Sequence, residues 1–326
     1  MKKVLVTGAS GFIGSTLCDM LLGKEGPEVW AGVRKTSDRR YLQSPKLHFI
    51  DLQYSNPEML KQQMEKEKFD TVFHLAGLTK AKTQEEFDRV NFLFTKNLVE
   101  ALNEQECKLI HMSSFAAHGP AKQNSIAKAE DENEPNTMYG ISKLRAEEYI
   151  NKNCKNKYVI LRPTGVYGER EKDYFVYFKT IKSHIDATLG KPKQRLTFIY
   201  SKDLCKVCIL AAENNDVYNK TYFVSDGNVY LDSEFSEITK QVFNTWTISI
   251  RFPLWIVKFT SSFLDNFGKL VGKQFTLNKD KYNLLAARNW ECDVENLKKD
   301  LGFVPDYDLK RGVAEAIAWY KKERWL

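Results

Sequence analysis

No run of about 18 apolar residues occurs anywhere in this 326-residue chain, so no segment is expected to span a bilayer. Histidine is scarce: the five residues stand at 48, 74, 111, 118 and 184, without ligand-like spacing, which argues against metal catalysis. The six cysteines, at 18, 107, 154, 205, 208 and 292, are scattered. A chain of this length with 43% hydrophobic residues builds a core without staples, so reduced thiols and a cytoplasmic setting are expected. Cys205 and Cys208 form a lone C-x-x-C inside "DLCKVCILAA", which reads as a packed helix rather than a metal or redox site. A basic stripe and an aromatic platform are both missing despite the net charge of +7. Lysines are interleaved with acids in "KQQMEKEKFD" and "NLKKDLGF", as on solvated helix faces, so no nucleic-acid partner is expected. The opening "MKKVLVTG" is too brief and wrongly flanked for a signal peptide.

What the chain does have is rhythm. Short apolar runs, "KVLVTG", "EVWAGVR", "KLHFIDL", "TVFHLAG", "KLIHMSS" and "YVILRPTGVYG", alternate with amphipathic stretches such as "FIGSTLCDMLLG" and "FLFTKNLVEALNEQ". Buried strands alternating with helices predict an α/β fold: a doubly wound parallel (Rossmann) sheet binding ligands at the carboxyl ends of its strands. After about residue 165 the rhythm breaks, and "TYFVSD" is a later strand able to rejoin the sheet. The predicted organisation is a dinucleotide-binding domain of residues 1–165 plus about 203–228. A smaller interleaved C-terminal substrate domain would comprise about 166–202 plus 229–326.

"VTGASGFIGSTL" follows the first strand and opens the first helix, with glycines at 8, 11 and 14. Glycine permits positive φ in the turn, lets backbone approach a pyrophosphate, and lets the helix pack on the strand. The loop Gly8, Ser10, Gly11, Phe12, Ile13 and Gly14 is thus a candidate dinucleotide cradle. At the end of the second strand, "WAGVRKTSDRR" puts Arg34 where an acid often binds the ribose 2′-hydroxyl. Arg34 and Lys35 suit a 2′-phosphate, so NADP(H) is favoured over NAD(H), with Asp38 still within reach for NAD.

In "YGISK", Tyr139 and Lys143 lie about one helical turn apart and act on the same small volume. A phenol with an ordinary pKa near 10 is a poor base at neutral pH, and a neighbouring ammonium favours its phenolate. The G-x-x-G-x-x-G spacing together with Y-x-x-x-K resembles the short-chain dehydrogenase/reductase superfamily, in its extended, epimerase/dehydratase-like branch. "FIDL", "VFHLAG", "MSSFAAHG", "LRPTGVYG", "FIYSKDL" and the closing "LGFVPDYDLKRGVAEAIAWYKKERWL" carry the likeness along the whole chain.

The resemblance implies a catalytic Ser114, Tyr139 and Lys143, with Ser114 five residues before the glycine of "SFAAHG". It implies cofactor contacts at Asp51, Leu52, Leu75, Ala76, Gly77, Ser113, Pro163 and Val166, besides Tyr139 and Lys143. Tyr139 would exchange a proton with a substrate oxygen positioned by Ser114 while hydride moves between substrate carbon and nicotinamide. Homodimers are frequent in the family. Phe94 stands where the family has a glycine, so helix packing there must differ.

The implied activity is NAD(P)-dependent hydride transfer on a small-molecule carbonyl or alcohol, as in the hydroxysteroid dehydrogenase-like and dihydroflavonol reductase-like branches. The alternative is a nucleotide-sugar epimerase or dehydratase with a transient ketone, and the second is a non-catalytic NAD(P)-sensing protein. Against the nucleotide-sugar reading, Leu196 replaces a pyrophosphate-binding arginine, with Arg195 one place off register, and Gly165 replaces an asparagine. In "FPLWIVKFTSSFLDNFGKLVG", Ile256, Phe259, Phe263, Phe267 and Leu270 recur at helical spacing. Such a stripe is most often core; a substrate wall, a dimer face and a membrane-surface contact are the alternatives, and Lys258, Asp265 and Lys269 interrupt it.

Overall fold

The computed structural model describes residues 1–190, 194–271 and 279–326, with side chains described for all of these but 189, 265–271 and 279. Strands β1 (Lys3–Thr7), β2 (Glu28–Gly32), β3 (His48–Ile50), β4 (Thr71–His74), β5 (Lys108–Met112) and β6 (Tyr158–Pro163) join Lys220–Val224 in one seven-stranded sheet. The spatial order is Lys220–Val224, β6, β5, β4, β1, β2, β3, and all pairings are parallel. The chain winds outward from β1 through β2 to β3, then returns to β4 and winds the other way. The reversal leaves a crevice where the ends of β1 and β4 meet, Thr7 opposite His74. "TYFVSD" does rejoin the sheet, along β6.

Strands β4, β5 and β6 are buried throughout, as their continuous apolar runs require when helices cover both faces. Val4 and Val6 face one core layer with Leu17 and Leu21 of the helix Phe12–Leu22 and Leu204 and Val207 of the helix Ser201–Glu213. Leu5 between them faces the opposite layer, with Leu60, Met64, Leu98 and Ile150. Cys205 and Cys208 are buried free thiols within the first layer. Burial pushes the Cys208 thiol up to about 12, which keeps it protonated and inert.

A third cluster is aromatic: Tyr167, Phe178, Phe198, Tyr200, Phe235 and Tyr320, closed by Val313 and Ile317 of the helix Leu309–Lys322. Short strand pairs surround it. Gly165–Tyr167 runs beside Phe198–Tyr200, Arg195–Leu196 beside Tyr230–Leu231, and Ile185–Leu189 beside Ile248–Phe252.

Two sequence expectations resolve here. Phe94 stacks on Tyr54 with ring centroids 4.9 Å apart, directly after a π-helical turn at Asp88–Leu93. The core expectation for the stripe fails at Phe259 and Phe263, which are 72% and 60% exposed. The helix Leu254–Val271 meets the body through Val257 and Ser261, a different face, while Ile256 is half-buried. The side chains of Phe267 and Leu270 lie outside the described residues.

Candidate active site

At the crevice, Gly8 adopts φ +66, and a Cβ there would lie 2.8 Å from the Ala76 nitrogen, closer than real atoms approach. A Cβ on Gly14 would strike the Gly8 carbonyl. Ser10 sits on this turn, and Gly11, Phe12 and Ile13 open the helix Phe12–Leu22, whose first N–H groups have no side-chain cap. The strand, the tight turn and the uncapped helix start fit a dinucleotide pyrophosphate.

The far wall of the crevice is fixed by one hydroxyl. Thr7 Oγ1 accepts the N–H groups of Leu75 and Ala76, each at 3.1 Å, and lies 2.9 Å from His74 Nδ1. On the other side of the ring, His74 Nε2 lies 2.9 Å from Thr95 Oγ1, which donates to the Asn91 carbonyl at 2.7 Å. Thr95 therefore accepts from Nε2–H, and Thr7 donates to Nδ1, so the ring is neutral with its proton on Nε2. Burial, aided by the Lys143 charge, pushes His74 down to about 3.

Asn91, which sequence reasoning missed, is fully buried in the π-helical turn. Its Oδ1 accepts the Leu78 N–H at 2.7 Å, and its Nδ2 donates to the Leu78 carbonyl at 3.0 Å and to Ser142 Oγ at 2.9 Å. A Cβ on Gly77 would lie 3.0 Å from Asn91 Oδ1 and 3.1 Å from Lys143 Nζ, so only glycine leaves this floor open. The signal that could have found Asn91 is its place in "VNFLFT", three residues before the departure at Phe94.

Arg34 and Lys35 are exposed just beyond β2, and the Arg34 N–H donates to Ser37 Oγ at 3.1 Å. Asp38 is engaged by Arg40, whose Nε lies 2.6 Å from Oδ2. The backbone N–H and guanidinium of Arg40 hold that carboxyl below its usual range. Asp51 anchors the third strand's exit through its carbonyl, which accepts from Gln63 Nε2 at 2.9 Å, and Leu52 is buried beside Gly32.

Ser114 caps the short helix Phe115–His118, its Oγ accepting the Ala116 N–H at 3.1 Å. Tyr139 and Lys143 stand on the helix Met138–Asn153, started by Thr137, whose hydroxyl accepts the Gly140 N–H at 2.9 Å. Burial raises the Tyr139 phenol above its ordinary value, opposed by a hydrogen bond with Ser114. Lys143 Nζ donates to the Met112 carbonyl at 2.9 Å. Burial lowers Lys143 to about 8, opposed by the Glu147 carboxylate one turn further on. The Ser113 hydroxyl donates to Glu147, so it is used beneath the crevice by that buried acid. Glu147 in turn takes Arg162 Nε at 3.1 Å on both oxygens and Nη2 at 2.6 Å.

Ser114 and Tyr139 open onto a cavity of about 540 Å³, with Pro163 and Val166 on its wall. Phe115, Tyr174, Tyr177, Phe198, Phe235 and Trp290 supply its aromatic walls, and Glu171, Asp173, Gln194, Asp232 and Lys281 also line it. Leu196 lines it, whereas Arg195 is tied to Glu291, with Nε 2.5 Å from Oε2. A Cβ on Gly165 would lie 2.7 Å from Tyr174 Oη and 2.8 Å from Phe198 Cδ1, so aromatic atoms fill the space a longer side chain would need.

Residues 4–224 match the model of the NAD dependent epimerase/dehydratase family, two-thirds of the chain. The chain belongs to this family. Its relatives divide between two chemistries. It is 25% identical to a UDP-glucose 4-epimerase of Vibrio cholerae, covering 95% of this chain and 93% of that protein. It is also 25% identical to a 3-beta-hydroxysteroid dehydrogenase of Mycolicibacterium neoaurum, covering 98% and 92%. Among solved structures, a UDP-glucuronic acid 4-epimerase from Bacillus cereus in complex with UDP-glucuronic acid and NAD superposes with a TM-score of 0.78. The two share 20% identity over 98% of this chain and 99% of that one, a likeness of fold. The protein is an NAD(P)-dependent enzyme of the extended short-chain type.

Proposed function

We propose that this enzyme interconverts a secondary alcohol and its ketone on an apolar small molecule that carries no nucleotide, using NADP(H). The observation that carries the reading is Tyr174 packed over Gly165: where many nucleotide-sugar enzymes place an asparagine, this cavity has an aromatic wall. Leu196 at the position of a pyrophosphate-binding arginine points the same way, as does the engagement of Arg195 by Glu291. Aromatic walls recognise an apolar body, and the polar groups set among them orient its oxygens.

In the mechanism, Ser114 Oγ uses one lone pair on the Ala116 N–H, and its proton, given to the Tyr139 phenol before substrate enters, turns to the substrate oxygen. Tyr139 exchanges a proton with that same oxygen. Lys143, steadied by the Met112 carbonyl, turns its remaining N–H bonds toward the open floor at Gly77 and holds a charge that favours the phenolate. Gly8, Gly11 and the uncapped helix start would hold the pyrophosphate, and Arg34 and Lys35 a 2′-phosphate, with Asp38 already engaged by Arg40. When bound, the cofactor supplies or accepts the hydride.

Fluorescence titration with NADPH and NADH, repeated on Arg34→Ala, tests the cofactor. Tighter NADPH binding that is lost in the variant is expected; equal or tighter NADH binding, indifferent to the substitution, overturns the preference. Turnover of apolar secondary alcohols or ketones, without conversion of UDP-glucose, is expected from the substrate reading. The second reading, nucleotide-sugar epimerisation through a transient ketone, is favoured by the Vibrio relative's name and takes first place if UDP-sugars are epimerised.

A further inference from the structure

The strand Ile248–Phe252 and the helix Leu254–Val271 carry a concentration of exposed apolar side chains. Trp246 is 64% exposed, Ile248 60%, Trp255 71%, Phe259 72% and Phe263 60%, with Ile250 and Phe252 near 40%. The pattern is ordered. Ile248, Ile250 and Phe252 alternate along one strand face, and Trp255, Phe259 and Phe263 follow one another at four-residue spacing down the helix. Ser249 and Arg251, at the intervening strand positions, bond instead to Asp186 and Asp232.

Charge decides what can cover this face. From Trp246 to Val271, the end of the helix, the sequence holds three bases, Arg251, Lys258 and Lys269, against one acid, Asp265. Lys258 is exposed beside Phe259, and His184 and Lys182 stand at the rim, with the His184 ring stacked on Trp246 at 4.5 Å. A two-fold contact between two copies would bring two basic segments together with only Asp265 of each to set against their lysines. A bilayer with anionic headgroups supplies the opposite charge, and its interface takes up Trp and Phe side chains.

We propose that this face docks on the surface of a membrane containing anionic lipid, with the helix Leu254–Val271 lying along the interface. No described helix is long and apolar enough to cross a membrane, so the attachment is peripheral. The docked face is the back of the substrate cavity: Ile185–Leu189, paired with Ile248–Phe252, contributes Ala187 and Thr188 to its wall. The docking stands whichever substrate the cavity takes.

Co-sedimentation of the full chain with vesicles of phosphatidylcholine alone, or mixed with phosphatidylserine, tests this directly. Binding to the mixed vesicles is expected, with a blue shift of tryptophan fluorescence, and about 0.5 M salt should weaken it. Phe259→Ser with Phe263→Ser should reduce binding about tenfold or more. Lys258→Glu, at an exposed position that leaves the fold intact, should reduce it several-fold, and both variants should keep wild-type cofactor titrations. The proposal is overturned if the wild type ignores both kinds of vesicle. It is equally overturned if the phenylalanine substitutions halve the molecular mass in solution while leaving vesicle binding unchanged.

Discussion

The Asp280 carboxylate reaches the start of the helix Met138–Asn153: Oδ2 accepts the Tyr139 backbone N–H at 3.1 Å and Oδ1 that of Met138 at 2.9 Å. Asp280 belongs to the helix Lys279–Ala286, which also gives Lys281 and Leu284 to the cavity wall and ties Asn283 to the Asn136 carbonyl. One acid thus caps the helix that carries Tyr139 and pins the cavity wall over it. Asp280→Ala should cost about 1 kcal/mol of stability, the usual value of a lost cap. It should lower kcat/KM while leaving cofactor affinity near wild type. Equal loss of both would place Asp280 in general folding alone.

Tyr139→Phe keeps the ring and its packing but removes the proton. Turnover should fall by about 10² to 10⁴, the usual reach of general acid–base catalysis, with cofactor affinity retained. Lys143→Met should lose both, since Lys143 Nζ faces the floor at Gly77 and its charge is the one proposed to favour the phenolate. Stopped-flow hydride transfer alongside a binding titration separates the two.

Glu147 is the buried counter-charge that holds Lys143 up against burial. With Lys143 near 8 in the fold, its ammonium is present below that pH and lost above it. The rate of ketone reduction should therefore decline as pH rises through about 8. Glu147→Gln removes the anion and leaves Arg162 unpaired, so the declining limb should move to lower pH. Stability should also drop by about 3–5 kcal/mol, as when one partner of a buried ion pair is deleted. A limb that stays in place in a folded variant would detach Glu147 from the titration.

Acid should weaken the fold through His74 and His111. Burial holds His74 near 3 against 6.5 in the open chain, and His111, 5.5 Å away ring to ring, is lowered by the same cause. Each stays neutral in the fold while the unfolded chain takes up a proton. Stability from these rings is fully present above about 6.5 and falls as pH drops toward 3. For His74 alone, the loss between about pH 7 and about pH 5 is of the order of 2 kcal/mol. Urea unfolding at the two pH values measures it, and a flatter dependence in His74→Gln is expected.

The sheet and the cradle were legible because local chemistry alone dictates them: strand periodicity sets the core layers, and Gly8 has a backbone angle that few other residues adopt. That Tyr139 and Lys143 share one helix was legible for the same reason. Asn91, Glu147 and Arg162 were not, since each acts through partners 13 to 51 positions away along the chain. The stripe at Phe259 misled because apolar spacing reports that a face exists, and only tertiary contact says whether the protein itself covers it. Tyr174 over Gly165 was equally hidden: an empty glycine and a glycine filled by a neighbour read alike in sequence.

The π-helical turn at Asp88–Leu93 is, geometrically, one surplus residue slipped into an otherwise regular helix. Removing a single residue there would restore ordinary winding and leave the flanking turns near their present phase, but it would change which side chains the turn itself presents. Asn91, inside the turn, could then no longer meet Leu78 and Ser142 together. The surplus residue is what lets one buried amide face inward without turning the helix on either side of it.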